Sequence, residues 1–349
     1  MKILLLCQYY DAYLRSFYTH YPDVASLPYK QQLNRILDDY FGWPPALIRR
    51  VGERGHGVEI IIANAESLQR AWARENSIEF NRSDWQFSLP YAQVGHFRPD
   101  VVWMVLPFKH YGLYSKELKQ FCRRTFAWIA APFPSQLDLS SVDCVLTSHP
   151  NFVQAFRQGG IACKQLLPAF EPRINERLGQ EKPGIAVSFV GGLSPVHTRR
   201  KQVLEAIAHR VPLQVWGYGI PAPYPVTGVR TLWRRIWYYR HSSPLADCYR
   251  GEAWGMDMYR VLQRSRTTVN VHIDAADGLA GNMRMFEATG VGTLLFTEEA
   301  PNLEELFRPN AELAAYCGFE DLVEKIEYYL ENDQARQSLA TAGQRRTLT

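Results

Sequence analysis

Arg284 and Glu287 lie three residues apart in a stretch, GNMRMFEATGVG, that glycines flank at both ends. This spacing places both side chains on one face of a helix that begins near Asn282. A helix start offers unpaired N–H groups and a partial positive charge, and an arginine in the first turn adds a planar donor that matches phosphate oxygens. Gly281 allows the backbone to approach a ligand closely. The stretch therefore suits a nucleoside diphosphate, with Glu287 accepting hydrogen bonds from ribose hydroxyls.

The same spacing has a plainer interpretation. An exposed helix with an intramolecular ion pair between Arg284 and Glu287 would show the same pattern, and such pairs are common and weak. An arginine in the first turn opposes the helix dipole, which favours a bound anion as its partner. Both interpretations stay open at this point.

A second basic group follows an earlier apolar run. Gly191 and Gly192 end that run, and Arg199, Arg200 and Lys201 open the next predicted helix. Alone, such a cluster is typical of a solvated helix face. Beside the Arg284 turn, at a neighbouring strand end, it is predicted to bind phosphate.

Four side chains are candidates for a general base. His110, His149, His272 and Asp11 are each predicted in or near a loop that follows a strand, where a cleft is expected. A lone histidine there more often positions another group than acts as a base. Tyr10, next to Asp11, suits stacking on a sugar ring or packing on the sheet.

The bulk composition limits the classes of protein. A chain of 349 residues is too long for one ordinary core and suits two domains. Its 46% hydrophobic and 21% charged residues indicate a globular protein, and no apolar run reaches the roughly 20 residues that cross a bilayer. Its net charge of +4 favours anionic ligands without indicating nucleic acid, and its six cysteines show no metal-like spacing.

The elements that must position these residues form two similar halves. Short apolar runs that alternate with helical stretches predict parallel sheets with helices on both faces. The sequence therefore predicts an α/β protein of two tandem Rossmann-like, doubly wound domains facing a cleft. The predicted domains are 1–170 and 184–349, joined by a polar linker with two prolines and a glycine at 171–183. Ligands of such sheets bind beyond the carboxyl ends of the strands.

One segment of the second half has an unusual composition. Residues 206–246 contain no acidic side chain, and arginines alternate with tryptophan and tyrosine over 230–241. This mixture suits contact with an anionic membrane surface or a sugar chain. A partly buried amphipathic insertion is an equally good interpretation, and no nucleic-acid fold signature accompanies it.

The second half resembles the group 1 glycosyltransferases, and most closely their CgeB-like branch. The resemblance covers about residues 185–349 and rests on N-x-R-x-[FY]-E-x-x-x-x-G from Asn282, N-L-x-E-L-F from Asn302, and a closing A-G-x-x-R. It implies the two-domain fold called GT-B. The first half resembles the acceptor domain of that fold only in its general pattern.

The resemblance implies a nucleotide-sugar site in the second domain. Glu287 matches the glutamate that binds the ribose, and Leu279 stands where many relatives have a second glutamate that touches the donor sugar. The other residues implied to bind the donor are Gly281, Asn282, Met283 and Arg284 at the diphosphate, Gly191, Gly192, Arg199 and Lys201 at the phosphates, and Gly217 and Tyr218 at the base. Gly217 and Tyr218 also fit an ordinary tight turn.

The implied function is a metal-independent glycosyltransferase with no cofactor besides its donor, since the chain contains no D-x-D run. The expected acceptor is a surface glycan or glycolipid, bound by the first domain. The expected location is cytoplasmic or peripheral to the inner membrane face, and relatives usually continue with a helix that crosses back to the first domain. A nucleotide-sugar 2-epimerase of the same fold and a non-catalytic nucleotide-sugar or glycan-binding protein, which Leu279 favours, remain alternatives.

Overall fold

The computed structural model describes residues 1–81, 83–193, 198–219 and 244–349. The chain divides into two compact units, Met1–Leu167 and Pro168–Thr349. The predicted contact segment 230–241 lies outside the described residues. None of the described helices is long and apolar enough to cross a membrane.

The first unit is a six-stranded, fully parallel sheet with the order β2-β1-β3-β4-β5-β6. Its first strand is a central one, and Leu4, Leu5 and Leu6 are at most 1% exposed. This burial explains why the strand is a continuous apolar run. The strands are β1 (Lys2–Cys7), β2 (Gly57–Ile62), β3 (Val101–Val105), β4 (Arg124–Trp128), β5 (Cys144–Thr147) and β6 (Cys163–Gln165).

Seven helices connect these strands. Most of them bury one apolar stripe and expose a polar face, as helices on a sheet must. They are α1 (Asp11–His20), α2 (Tyr29–Asp38), α3 (Pro44–Glu53), α4 (Glu66–Glu75), α5 (Trp85–Phe97), α6 (Phe108–Leu118) and α7 (Pro150–Gln158), with a 3₁₀ turn at Pro22–Ser26.

The second unit is a five-stranded parallel sheet with the order β11-β10-β9-β7-β8. Its strands are β7 (Ile185–Val190), β8 (Leu213–Trp216), β9 (Ser265–Asn270), β10 (Leu294–Glu298) and β11 (Ala314–Tyr316). Its helices are α8 (Arg173–Leu178), α9 (Thr198–Ile207), α10 (Leu245–Cys248), α11 (Gly255–Gln263), α12 (Met283–Gly290), α13 (Leu303–Leu306), α14 (Phe319–Glu331) and α15 (Asp333–Leu348).

Both sheets reverse their winding direction once. The chain moves from β1 outward to β2 and then returns to β3 on the other side of β1, and β7, β8 and β9 repeat this order. Loops that leave two neighbouring strands in opposite directions leave a crevice at the carboxyl edge of the sheet. Each unit therefore has one expected ligand crevice, at β1 and β3 in the first and at β7 and β9 in the second.

The structure differs from the predicted domain limits at the linker. The division falls after Leu167, and the segment 171–183 is part of the second unit. Within it α8 buries Ile174 and Leu178 and packs against α11. Of the polar residues in this segment, Glu176 and Arg177 lie on the exposed face of this short helix.

The last helix fixes one side of the second sheet. α15 packs against α12 and β10, and Gly343 in its centre lies directly against the backbone carbonyl oxygen of Glu312. A Cβ atom at Gly343 would overlap that oxygen, which belongs to the backbone and cannot rotate away.

We expect Gly343→Ala to lower the free energy of unfolding by about 1–3 kcal/mol, although alanine is the better helix former. Gly52→Ala in α3 is the matched control, because a Cβ there meets no atom within 4 Å. We expect it to be neutral or to stabilise by up to about 1 kcal/mol. Urea denaturation followed by fluorescence measures both; equal effects of the two substitutions would contradict the close packing of α15.

Candidate functional site

The loops that follow β7 and β8 pack backbone to backbone. The N–H of Gly191 donates to the carbonyl oxygen of Trp216 at 2.9 Å. Gly217 has a φ of 150°, and a Cβ atom on it would overlap the carbonyl oxygen of Gly191. Gly217 is therefore required by contact between two loops, whereas a Cβ atom at Gly191 would meet the Phe189 ring at 3.1 Å.

Tyr218 covers the first of these loops. Its ring lies so close to Gly192 that any side chain at Gly192 would overlap it. The ring also stacks on Trp254, with the planes 10° apart and the centroids 5.9 Å apart. Tyr218 thus has a packing role at the position that the resemblance assigns to the base.

An amide network closes the end of β9. Asn270 and Asn282 exchange side-chain hydrogen bonds of 2.7 and 3.2 Å, and Asn270 Nδ2 also donates to Thr297 Oγ1 at 3.0 Å. Asn282 immediately precedes α12. The network therefore fixes the start of this helix to two neighbouring strands, β9 and β10.

A second amide holds the loop just before that helix. Asn302 donates to the carbonyl oxygen of Ala280 at 2.9 Å and accepts from its N–H at 2.8 Å. Gly281 follows with a φ of 141°, a backbone conformation that favours glycine. Met283 then begins the helix in a half-buried position. Asn302 lies in the N-L-x-E-L-F motif, which explains why that motif accompanies the helix start.

Arg284 and Glu287 form an ion pair in the structure, with Nη1 and Oε2 2.9 Å apart. Their side chains are only 16% and 9% exposed, respectively, and Arg284 Nη1 also contacts Met258 Sδ at 2.9 Å. The pair that the plainer interpretation predicts is therefore present, but its predicted exposed setting is wrong. The partner that compensates Arg284 in this structure is Glu287 itself.

The basic residues that open α9 are of two kinds. Arg199 Nε lies 2.7 Å from Glu298 Oε1, and Lys201 Nζ lies 3.8 Å from Glu205 Oε1 on the same helix. Both basic side chains are mostly exposed. The two residues predicted to bind phosphate are thus already next to carboxylates.

Arg200, between them, is 8% exposed and points inward. Its Nη1 donates to the carbonyl oxygen of Gly192 at 2.8 Å and its Nη2 to that of Val271 at 3.2 Å. It therefore joins the loops after β7 and β9, the two strands between which the winding reverses. Burial lowers the pKa of Arg200 to about 10, so it keeps its charge at neutral pH.

His272 is buried at the end of β9. Its backbone N–H donates to Glu298 Oε2 at 2.9 Å, and its ring Nε2 lies 3.3 Å from Thr297 Oγ1. His149 in the first unit is 3% exposed and packs against Phe152. These positions suit a structural role better than access to an acceptor.

The first unit brings two of the predicted catalytic residues to its own crevice. Asn64 donates to Asp11 Oδ1 at 2.8 Å, and it also exchanges hydrogen bonds with the backbone of Tyr9. Gln8 Nε2 lies 3.2 Å from His110 Nδ1. Burial, and then the nearby charge of Lys109, lowers the pKa of His110 from 6.5.

Sequence patterns missed several partners at the second crevice, namely Asp274, Glu298, Asn270 and Asn302. Each stands at or after a strand end, which is the only sequence signal that could have found them. Across the part of the chain that the structure describes, no group of three or more His, Cys, Asp or Glu side chains is placed to hold a metal ion.

Known proteins share this architecture. Residues 199–349 match the model of the family described as glycosyl transferase-like. HepE from Anabaena, solved in complex with UDP-glucose, has a TM-score of 0.57 at 13% identity, over 99% of this chain and 94% of that one. A glycosyltransferase from Rickettsia africae has a TM-score of 0.54 at 11% identity, over 99% and 93%. No curated protein matches the sequence significantly.

A third neighbour is sucrose-phosphate synthase from Thermosynechococcus elongatus, with a TM-score of 0.52 at 12% identity, over 100% of this chain and 94% of that one. The chain thus shares the GT-B fold of these neighbours, as the sequence predicts. The CgeB-like branch stays a prediction.

The buried ion pair gives a stability prediction. We expect Glu287→Gln to lower the free energy of unfolding by about 3 kcal/mol, because it leaves the charge of Arg284 buried without its partner. The double variant Arg284→Met, Glu287→Leu should lie within about 1 kcal/mol of wild type. Urea denaturation measures these differences.

The control is Glu320→Gln, which breaks the ion pair of Glu320 with Arg210. In this exposed pair the glutamate side chain is 76% exposed and the arginine side chain 42%. Its cost should stay below about 1 kcal/mol. A Glu287→Gln variant no less stable than Glu320→Gln would show that the buried pair contributes nothing to folding.

Proposed function

We propose that this chain transfers a sugar from a nucleotide-sugar donor to an acceptor hydroxyl without a metal ion, in the synthesis of a surface glycan or glycoconjugate. The acceptor oxygen forms a bond to the anomeric carbon and loses its proton. The bond between that carbon and the phosphate oxygen breaks, and the nucleoside diphosphate leaves with the electron pair.

The observation that carries this proposal is the set of groups at the reversal between β7 and β9. The starts of α9 and α12, the buried guanidinium of Arg200 and the pair of Arg284 with Glu287 all lie in this region of the second unit. Helix starts and arginines stabilise negative charge. They are suited to a diphosphate that gains charge as it leaves.

A UDP-sugar is the donor that the comparison favours, because HepE was solved with UDP-glucose. Glu287 is the proposed ligand of the ribose hydroxyls. In the structure it is held by Arg284, so we propose that Arg284 orients this carboxylate and contributes its remaining N–H groups to the phosphates.

The first unit is the proposed site of the acceptor. Tyr10 is 56% exposed next to Asp11, at the end of β1, where its ring can stack on a sugar. Asp11 and His110 are the proposed candidates for the base that takes the acceptor proton. His110 is the better suited of the two at neutral pH, since the pKa of an imidazole lies nearer to neutrality than that of a carboxylate, and its lowered pKa still leaves it unprotonated.

The first test is donor binding. In a thermal-shift panel of UDP, GDP, ADP, CMP and TDP, we expect one nucleotide to raise the melting temperature of wild type, since binding at 100 times Kd stabilises by about 2.7 kcal/mol. Glu287→Ala should lose most of this shift. Glu320→Ala, at an exposed glutamate that pairs with Arg210, should keep it.

Turnover then separates the alternatives. A transferase releases nucleoside diphosphate only with acceptor, an epimerase changes the sugar without acceptor, and a binding protein does neither. A panel without any shift would remove the main support of the donor site, and binding without turnover would favour the non-catalytic alternative that Leu279 suggests.

His110 gives a pH prediction. A base must be unprotonated, so kcat should rise with pH through the pKa of His110, below 6.5, and stay level above it. Lys109→Gln removes a nearby positive charge that lowers this pKa, so the rise should move to higher pH. His110→Gln should lower kcat by about 10²–10⁴-fold and abolish the rise. An unchanged profile in Lys109→Gln and His110→Gln would rule out His110 as the base.

A further inference from the structure

The start of α9 already holds a carboxylate. Asp274 Oδ2 accepts from the N–H of Thr198 at 3.2 Å and from its Oγ1 at 2.7 Å. Asp274 itself is exposed, in the 3₁₀ turn Asp274–Ala276 that follows β9. A carboxylate is thus bound by the helix-start donors that would otherwise receive a ligand anion.

The neighbouring cation, the guanidinium of Arg200, lacks a carboxylate partner within the described residues. Within the described residues, no carboxylate lies within 4.0 Å of the Arg200 guanidinium, and its Nε has no hydrogen-bond partner. The negative charge of Asp274 and the positive charge of Arg284 are both near enough to interact with the Arg200 guanidinium, with opposite effects. A buried cation bonded only to backbone carbonyls is costly, so an anion beside it would be stabilised.

The loop that carries Asp274 is fixed at its two ends. His272 is held by Glu298 through its N–H, and Ala280 is held by Asn302. In between, the side chain of the exposed Asp274 is hydrogen-bonded to Thr198. Asp274 can therefore leave the start of α9 without a change in β9 or α12.

We propose that the carboxylate of Asp274 occupies the position of a donor phosphate group, and that the bound diphosphate displaces it to contact Thr198 and Arg200. This inference rests on the proposed function and adds a regulatory element to the donor site. Donor binding then releases the turn at Asp274–Ala276, and Asp274 competes with every anion that enters.

Asp274→Asn tests this competition, because asparagine keeps the size and the capping ability of the side chain and removes its charge. The matched control is Asp277→Asn, the same charge change in the same loop, where asparagine tolerates the φ of 51°. Isothermal titration calorimetry measures the affinities for UDP, GDP and ADP. The corresponding nucleoside of each is titrated for comparison.

We expect Asp274→Asn to bind the nucleoside diphosphate at least threefold more tightly than wild type, with the nucleoside unchanged. Asp277→Asn should change affinity less than twofold. Arg200→Gln should weaken diphosphate binding at least tenfold; if this variant does not fold, Asp274→Asn alone decides.

Equal or weaker diphosphate binding by Asp274→Asn, or an equal gain in Asp277→Asn, would overturn the inference while leaving the proposed function intact. Wild-type protein that binds none of the three diphosphates would overturn the proposed function, and the inference with it.

Discussion

The winding of a parallel sheet can reverse only where two adjacent strands send their loops to opposite sides, and in the second unit this happens between β7 and β9. The two loops would leave an unfilled gap at the edge of the sheet. Arg200 fills it by donating to one carbonyl oxygen of each loop, at Gly192 and Val271. The bridge thus joins the two loops at the candidate site, while the hydrogen bonds of Asn282 and Asn302 fix the start of α12 beside it.

Placing a cation in that gap has an electrostatic consequence. The surrounding basic groups each have an acidic partner, Glu298 for Arg199 and Glu287 for Arg284, and the start of α9 has Asp274. These carboxylates stabilise the unliganded protein by compensating charge that is partly removed from water. Under the proposed function a diphosphate has to compete with them, so stability of the free protein and affinity for the proposed donor oppose each other at this site.

The sequence predicts the strands and the Arg–Glu helix well, because both are local signals. Apolar runs mark β7 and β10, and a three-residue spacing marks Arg284 and Glu287. The contacts that define the crevice are not local: Arg200 reaches Val271, and Thr198 reaches Asp274, 71 and 76 residues away. The resemblance therefore implies the exposed Arg199 and Lys201 as phosphate ligands, whereas the bridging role of Arg200 and the packing role of Gly217 depend on contacts that are distant in the sequence.

The first unit repeats the strand reversal with different chemistry. Its loop after β1 reads Gln8-Tyr9-Tyr10-Asp11, without a glycine or a basic residue. Amide groups of Gln8 and Asn64 hold His110 and Asp11 there. An aromatic ring beside neutral amides and a carboxylate suits a neutral, hydroxyl-rich ligand, whereas arginines and helix starts suit an anion. One topology thus presents a crevice of different chemistry in each unit, and the loop residues of each crevice determine the kind of ligand that suits it.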